Sequence, residues 1–439
     1  MVYRIIFVKG GTHHLRAYGG GDTVLLNLKK AIELNGITST MYVLFDTSAT
    51  NVYADPSLNF IGIPSLQNAN YFLKYTSSFP ERLLSGFIVD SDIIITNDPL
   101  SLFHVLQYKK NVGSSNQFKV VWMPSGNELT CPLHTEVCPY SNSISKTYGH
   151  MVNYNFFLRK CLPHILTNKG LSPYHIIIWH IFRKNVLDYL DALLAKRSVY
   201  LEGCMYIGMA NRCRYVSFGI DIDKFKPRSK EESYSFISSL LERHIVYGNY
   251  ESFTSAIKDG KIILGYVGAT NPRWKNVEDL LKMWKGLSEK YSNIILMLVL
   301  RDYKAILHLI NSFSAKKTFI LKPLPYEYIH YIYNLFDIFV NPSLLDSLEY
   351  NTLEALASGN IVVVSDAGSI RDLHKFGIHP LMFRRGNVDE LLLILSDVVE
   401  KIDMYSRYFD RVRDNFREIF NLREWGKRVI KALKELNLL

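Results

Sequence analysis

Short apolar runs alternate with helical patterns along most of this chain, in two blocks divided by one polar stretch, and few architectures accommodate that order. A strand-length run, a helix and another such run are how a parallel sheet with crossover helices reads in sequence. In the first block, Arg4–Val8 predicts a strand and Thr23–Asn35 a helix, with Leu25, Leu26, Leu28, Ile32 and Leu34 as its buried face and Gly36 as its cap. Strands follow at Thr40–Phe45, Asp92–Thr96 and Lys119–Met123, with a helix at Ser101–Tyr108. A long helix is predicted over Tyr174–Lys196, then a strand near Val199 and another at Arg214–Phe218. Residues 224–261 turn rich in Lys, Arg, Ser and Glu, with only a short helix at Tyr234–Arg243, and the domain junction is placed there. The second block, 262–424, resumes with strands at Ile262–Val267, Ile294–Leu300, Thr318–Leu321, Ile338–Asn341 and Ile361–Ser365. Helices at Asn276–Lys290, Tyr303–Phe313, Tyr326–Asn334 and Tyr350–Ser358 separate them, so a second doubly wound domain is expected after the first, 1–223.

Two blocks require two cores. At 439 residues, 48% apolar and 21% charged, the chain exceeds what one core usually serves. Its 51 Lys and Arg against 41 Asp and Glu give a formal charge of +10, spread along the sequence. That spread favours anionic small molecules or an anionic membrane face over a nucleic-acid groove. Met1 leads straight into the strand-like Tyr3–Val8 with no small-residue cleavage site, which reads as no signal peptide. The longest apolar stretch, Ile176–Phe182, contains His180 and ends at Arg183 and Lys184, far short of the roughly 20 residues of a membrane span. Five cysteines and no sign of export read as reduced thiols in a cytoplasmic setting. Cys131, His134 and Cys138, with Cys161 and His164 further on, offer enough groups for zinc, but their spacing matches no common zinc frame. Loop thiols and no metal are the expectation.

The densest chemistry lies between Asn341 and Gly359. A strand ends at Pro342, a short loop presents Asp346, and Ser347, Leu348 and Glu349 lead into a helix. Backbone N–H groups and the positive dipole end of that helix face one opening and suit a diphosphate. Glu354, two turns on, can present a carboxylate to a ribose while Asp346 reaches the sugar beyond the phosphates. A bare pair of acids reads equally as a solvated loop before a core helix; the frame from Pro342 and Ser343 to Gly359 and Asn360, set between two strands, gives the pair its weight.

In that frame the chain resembles the retaining GT-B glycosyltransferases of family 4, the group 1 glycosyl transferases. Their mark is two acidic residues separated by seven others, after Pro-Ser and before Glu-Ala-x-Ala-x-Gly, as at Asp346 and Glu354 here. The resemblance implies an α/β GT-B fold, two Rossmann-like doubly wound domains facing each other across a cleft. It implies Glu354 on the donor ribose and Asp346 on the transferred sugar; relatives usually carry Glu at the first position, and Asp346 is one methylene shorter. Residues Gly219–Pro227 resemble the family's interdomain signature. Gly19, Gly20, Gly21 and Asp22 resemble the glycine loop that lets backbone approach the donor phosphate or the acceptor, although alone they read equally as a flexible turn. Past the junction Gly268 ends a strand and Arg273, Trp274, Lys275 and Asn276 lead into a helix. Relatives place an Arg just after that glycine and a Lys at the helix start, both neutralising the departing diphosphate. Lys275 matches the second position; Ala269 occupies the first, leaving Arg273 to reach back. Pro323 and Leu324 match the turn where relatives hold the base largely through backbone groups. After the strand Val120–Met123, relatives carry a His that touches the sugar; here Pro124, Ser125, Gly126 and Asn127 stand, giving its role to Ser125 or Asn127 or removing it.

The resemblance further implies a nucleotide-diphosphate sugar on the second domain, a glycan, lipid-linked or other acceptor on the first, and transfer with retention as the cleft closes. The departing diphosphate takes the acceptor's proton, and no cofactor or obligatory metal is implied. The last helix, near Trp425–Leu436, is expected to cross back to the first domain. Ile176–Phe182 with Arg183 and Lys184 reads as a core helix or as a peripheral contact at the inner face of the membrane. Ala269, Asp346 and the missing His leave a non-catalytic GT-B partner protein as one alternative, and a GT-B nucleotide-sugar epimerase is another. A Rossmann oxidoreductase lacks support, because no Gly-x-Gly-x-x-Gly follows the first strand.

Overall fold

The computed structural model describes residues 4–9, 20–44, 58–60, 82, 84–89, 92–113, 118–124, 187–206, 208–269, 275–312, 317–344 and 350–439. They form two compact units, Met1–Gly219 with Leu422–Leu439, and Ile220–Asn421.

In the first unit, β1 (Ile5–Lys9) is followed by α1 (Gly20–Glu33), β2 (Ser39–Val43), β3 (Leu58–Phe60), β4 (Ile93–Thr96), α2 (Pro99–Val112) and β5 (Lys119–Trp122). Then come β6 (Ala192–Ala195), α3 (Val199–Tyr206) and β7 (Cys213–Tyr215). The strands lie in the order β3-β2-β1-β4-β5-β6-β7, all parallel, and the order reverses between β1 and β4. Every residue of β1, β4 and β6 is buried, as expected of a parallel sheet covered on both faces. Asp98 starts α2 by accepting from the Ser101 N–H at 2.9 Å, and Pro99 occupies the first turn, where its missing N–H costs nothing.

Several predicted elements differ here. α1 buries Val24, Leu25, Leu28, Ala31 and Ile32, but Leu26 is half-buried and Leu34 is 40% exposed, because the helix ends at Glu33 and Gly36 turns the chain at φ 81°. The described end of the helix predicted over Tyr174–Lys196 is a 3-10 turn followed by β6: a short apolar run sandwiched between β5 and β7 is a strand even without a period-two pattern. Val199 opens a helix rather than a strand, with Tyr200 and Cys204, one turn apart, on its buried side. Cys204 and Cys213 form a disulfide between α3 and β7, which corrects the expectation of wholly reduced thiols. Cys131, His134, Cys138, Cys161, His164, Ser125, Asn127 and the stretch Ile176–Phe182 lie outside the described residues.

The second unit runs α4 (Lys230–His244), β8 (Ile245–Tyr247), α5 (Tyr250–Lys258), β9 (Ile262–Gly268), α6 (Val277–Lys290), β10 (Ile294–Leu300), α7 (Leu307–Ser312) and β11 (Thr318–Leu321). It continues with α8 (Ile329–Tyr333), β12 (Ile338–Asn341), α9 (Tyr350–Ser358), β13 (Ile361–Ser365), β14 (Leu381–Phe383), α10 (Val388–Glu400) and α11 (Ile402–Phe420). Its sheet order is β14-β13-β12-β9-β10-β11-β8, parallel except for β8 against β11, and the order reverses between β9 and β12. The polar stretch 224–261 thus holds two helices and a strand. Ser229 and Asn249 cap those helices through the Glu232 and Ser252 N–H groups at 3.1 and 3.0 Å, and α4 buries only Ser233, Ile237 and Leu241, too narrow a stripe to stand out in the sequence.

The last helix, α12 (Leu422–Glu435), returns to the first unit and packs on α1. Asn35 Nδ2 donates to the Ala31 carbonyl at 2.8 Å and to the Arg423 carbonyl at 3.0 Å, bridging the two helices. Among the described residues no helix is long and apolar enough to cross a membrane.

Candidate functional site

Where the strand order of a doubly wound sheet reverses, the helices leave on opposite faces and the carboxyl ends of the two flanking strands open a crevice. In the second unit those strands are β9 and β12, ending at Gly268 and Asn341. Gly268 has no room for a side chain: a Cβ there would lie 2.5 Å from Tyr266 Oη and 2.8 Å from its Cζ. Tyr266, wholly buried, donates to the carbonyl of the buried Ala269 at 3.2 Å. Lys275 precedes Asn276, whose left-handed backbone (φ 55°) turns the chain into α6. The Asn276 side-chain amide donates to Asp279 Oδ2 at 2.7 Å and to the Pro342 carbonyl at 3.2 Å. From the first turn of α9, Asn351 Nδ2 donates to the Val267 carbonyl at 2.8 Å, and Thr352 Oγ1 accepts from Asn341 Nδ2 at 3.0 Å. The starts of α6 and α9, with their positive dipole ends, are therefore tied to the ends of β9 and β12.

Glu354 sits one turn into α9 and is only 6% exposed. The Tyr333 hydroxyl donates to its Oε2 at 2.7 Å and the Tyr326 hydroxyl to its Oε1 at 3.1 Å. Tyr333 ends α8, and Tyr326 begins the 3-10 turn that precedes it. Lys224 Nζ stands 3.3 Å from the centroid of the Tyr326 ring. Phe225, wholly buried, lies against both tyrosine rings, with centroids at 6.3 Å from Tyr326 and 5.9 Å from Tyr333. Burial pushes the Glu354 carboxyl up to about 7, against the opposing pull of Tyr333, Lys224 and Tyr326. Two tyrosine hydroxyls leave it further lone pairs with which to accept.

The chain leaving β12 is held by β13 and the turn after β14. Ser365 donates its hydroxyl to the Ser343 carbonyl, and Arg385 Nη1 donates to the Leu344 carbonyl at 3.3 Å. Arg385 is itself fixed by Asp366, whose Oδ1 accepts from the Arg385 N–H at 3.0 Å and from its Nε at 3.2 Å. Arg371 reaches the other oxygen at 2.7 Å. Burial alone would raise the Asp366 carboxyl, but Arg385 and Arg371 together hold it below its ordinary range.

Of the residues singled out in the sequence, Gly268 and the half-buried Lys275 stand at this edge, and Glu354 lies on the helix that starts there. Pro323 and the buried Leu324 follow β11 and lead into Tyr326. Gly20 and Gly21 open α1 in the first unit, the helix that follows β1 at that sheet's own order reversal. Asp346, Ser347, Leu348, Glu349 and Arg273 lie outside the described residues. Asn276, Asn351, Tyr326, Tyr333, Lys224 and Arg385 join the site as side chains only in the structure. An asparagine just ahead of a helix pattern was an available signal for the left-handed turn at 276. The tyrosines gave none, since they meet Glu354 from 28 and 21 residues away.

Residues 250–413 match the family model described as Glycosyl transferases group 1. No curated protein sequence matches the chain significantly. Among solved structures, a sucrose-phosphate synthase of Thermosynechococcus elongatus is similar with a TM-score of 0.71 at 14% identity, over 99% of this chain and 99% of that one. HepE of Anabaena, solved in complex with UDP-glucose, gives 0.67 at 14% identity over 98% and 99% of the two chains. A glycosyltransferase of Rickettsia africae gives 0.65 at 14% identity over 99% and 98%. At such identities the likeness speaks for the fold alone, and that fold is GT-B.

Proposed function

We propose that this chain, a glycosyltransferase with a group 1 domain over residues 250–413, moves a sugar from a nucleotide-diphosphate donor held by the second unit to a glycan, lipid-linked or other acceptor, with retention of anomeric configuration. The observation that carries the reading is Glu354: a carboxyl group kept in the interior by two tyrosine hydroxyls, on the helix that starts where the strand order reverses. A position at the switch point is where nucleotides bind in open α/β sheets. HepE, solved with UDP-glucose on a similar fold, supports a nucleotide sugar as the donor class.

In this reading Glu354 accepts from the donor ribose, and Pro323 and Leu324 border the base. Gly268 allows backbone to approach the diphosphate. Lys275, with Arg273, and the N–H groups of Ser347, Leu348 and Glu349 balance the charge that develops as the bond to the sugar breaks. Asp346 holds the transferred sugar, and Gly20 and Gly21 of the first unit approach the donor phosphate or the acceptor. The leaving diphosphate receives the acceptor's proton, so the proposal needs no side-chain base, no cofactor and no metal.

The test is release of nucleoside diphosphate from a panel of nucleotide sugars by the wild type, Asp346→Ala and Glu354→Ala, with the anomeric configuration of the product read by NMR. Release that both substitutions abolish, with the anomeric centre retained, supports the proposal. Failure of the wild type to bind or turn over any donor favours the non-catalytic partner reading, and a ring carbon inverted while the sugar stays on the nucleotide favours the epimerase.

A further inference from the structure

Past Asn341 the chain has left the β12 strand, and the next three carbonyls are each taken by a side chain from a different segment. Asn276 Nδ2, at the start of α6, donates to the Pro342 carbonyl at 3.2 Å. The hydroxyl of Ser365, the last residue of β13, donates to the Ser343 carbonyl. Arg385 Nη1, in the turn after β14, donates to the Leu344 carbonyl at 3.3 Å. Carbonyls beyond the end of a strand are ordinarily left to water, so three side-chain donors in a row fix the course of the backbone residue by residue. Ser343 and Ser365 are both buried, which shields their bond from competing water. Arg385 owes its reach to its fork: Nε goes to Asp366 Oδ1 at 3.2 Å and Nη2 to the Asp366 carbonyl at 3.0 Å, while Nη1 goes to Leu344. Asp366 is itself held to β14 by its N–H on the Phe383 carbonyl at 2.8 Å. A lysine, with one nitrogen, does not serve both segments.

We propose that Ser365 and Arg385 are positioning residues for sugar transfer: by holding the Ser343 and Leu344 carbonyls they set the point from which the chain runs on to Asp346, and so govern turnover rather than nucleotide binding. The inference rests on the glycosyl-transfer reading, in which Asp346 holds the transferred sugar, and adds to it two residues that act through the backbone. The single proton of the Ser365 hydroxyl is spent on Ser343, so its part is played on the protein and not on the ligand. A misplacement of about 1 Å at the reacting group costs about a hundredfold in rate, and about tenfold is expected when one of three anchors is lost and the others stay.

The experiment compares the wild type, Ser365→Ala and Arg385→Lys. It measures kcat and KM with a uridine, guanosine or adenosine diphosphate sugar that the wild type turns over, and the Kd of the matching free diphosphate by calorimetry. All readings are taken below the temperature at which any of the three proteins begins to melt. Ser365→Ala removes one oxygen from a buried site and Arg385→Lys keeps the charge beside Asp366, so both retain the fold, which circular dichroism verifies. Should the lysine variant unfold, the alanine variant decides. The expected result is a fall in kcat of about tenfold or more in each variant. The Kd of the free diphosphate stays within a few-fold, because that ligand carries no sugar for Asp346 to hold. An unchanged kcat in either variant overturns the assignment of its residue. A loss of diphosphate affinity that matches the loss of kcat means damage to the whole domain and overturns it as well. A wild type that turns over no nucleotide sugar instead removes the transfer reading itself.

Discussion

Asn276 donates its side-chain amide to the carbonyl of Pro342 at 3.2 Å, so the residue that opens α6 holds the end of β12 although 66 positions separate them. A side chain thus ties the start of α6 to the end of β12, beyond the point where β9 and β12 pair in the sheet. The same residue supplies the left-handed backbone that lets Lys275 precede the helix where it does.

Two substitutions separate these contributions. Asn276→Gly keeps the left-handed conformation and loses the hydrogen bonds, whereas Asn276→Ala loses both. We expect stability to fall by about 1 kcal/mol for the glycine variant and about 2 kcal/mol for the alanine variant. Donor turnover should fall in both, because Lys275 is carried by this turn. Denaturant melts and initial rates check the pair; equal stability of the two variants would show that the backbone conformation costs nothing.

Gly268→Ala places a Cβ against the phenol end of a wholly buried ring, 2.5 Å from Tyr266 Oη. The ring is wholly buried, so it or the β9 backbone must shift, at a cost of about 1–3 kcal/mol. Removing the hydroxyl relieves the closest contact, and Tyr266→Phe combined with Gly268→Ala should recover part of the loss. A double-mutant cycle on thermal stability measures the coupling; strict additivity would mean that Tyr266 does not exclude a side chain at 268.

Glu354 links stability to pH. Its carboxyl is pushed up to about 7 in the folded protein from an ordinary value of 4.5, chiefly by burial, so the folded state holds the proton more tightly than the unfolded chain. Its contribution is therefore intact below about pH 4.5 and is lost as pH rises toward 7, by a total on the order of 3 kcal/mol. Glu354→Gln has no proton to lose. The stability of the variant relative to the wild type should rise steadily between about pH 4.5 and about pH 7 and level off above that. Urea melts across that range read it directly, and parallel curves for the two proteins would refute it.

The alternation that defines both sheets was legible because strands such as Ile294–Leu300 are buried along their whole length and stand between clear helix patterns. It failed where a strand was as short as Ala192–Ala195, whose four small and aliphatic residues fit a helix equally well, and where a single valine at 199 suggested a strand. The helix of Glu354 and its place after β12 were legible from the strand, loop and helix frame around Pro342 and Ser343. The surroundings of Glu354 were not, because only the fold brings Lys224, Tyr326 and Tyr333 to one carboxylate. The disulfide of Cys204 with Cys213 was equally hidden: nine positions apart, the two meet only because α3 turns back to β7.

The docking of α12 offers a test in the first unit. A Cβ on Gly426 would stand 2.2 Å from the Ala31 carbonyl oxygen and 2.3 Å from Asn35 Nδ2. The oxygen belongs to the backbone of α1 and cannot rotate away, so α12 would have to lift. Lifting would break the bridge from Asn35 to the Arg423 carbonyl and draw out the wholly buried Trp425. In an isolated helix alanine is better than glycine by about 1 kcal/mol, so propensity alone makes Gly426→Ala stabilising. We expect the reverse, a net loss of about 1–3 kcal/mol from overpacking, together with faster proteolysis between α11 and α12 at Asn421. A variant that melts at or above the wild-type temperature and resists the protease equally well would mean that α12 does not rest on α1 at this glycine.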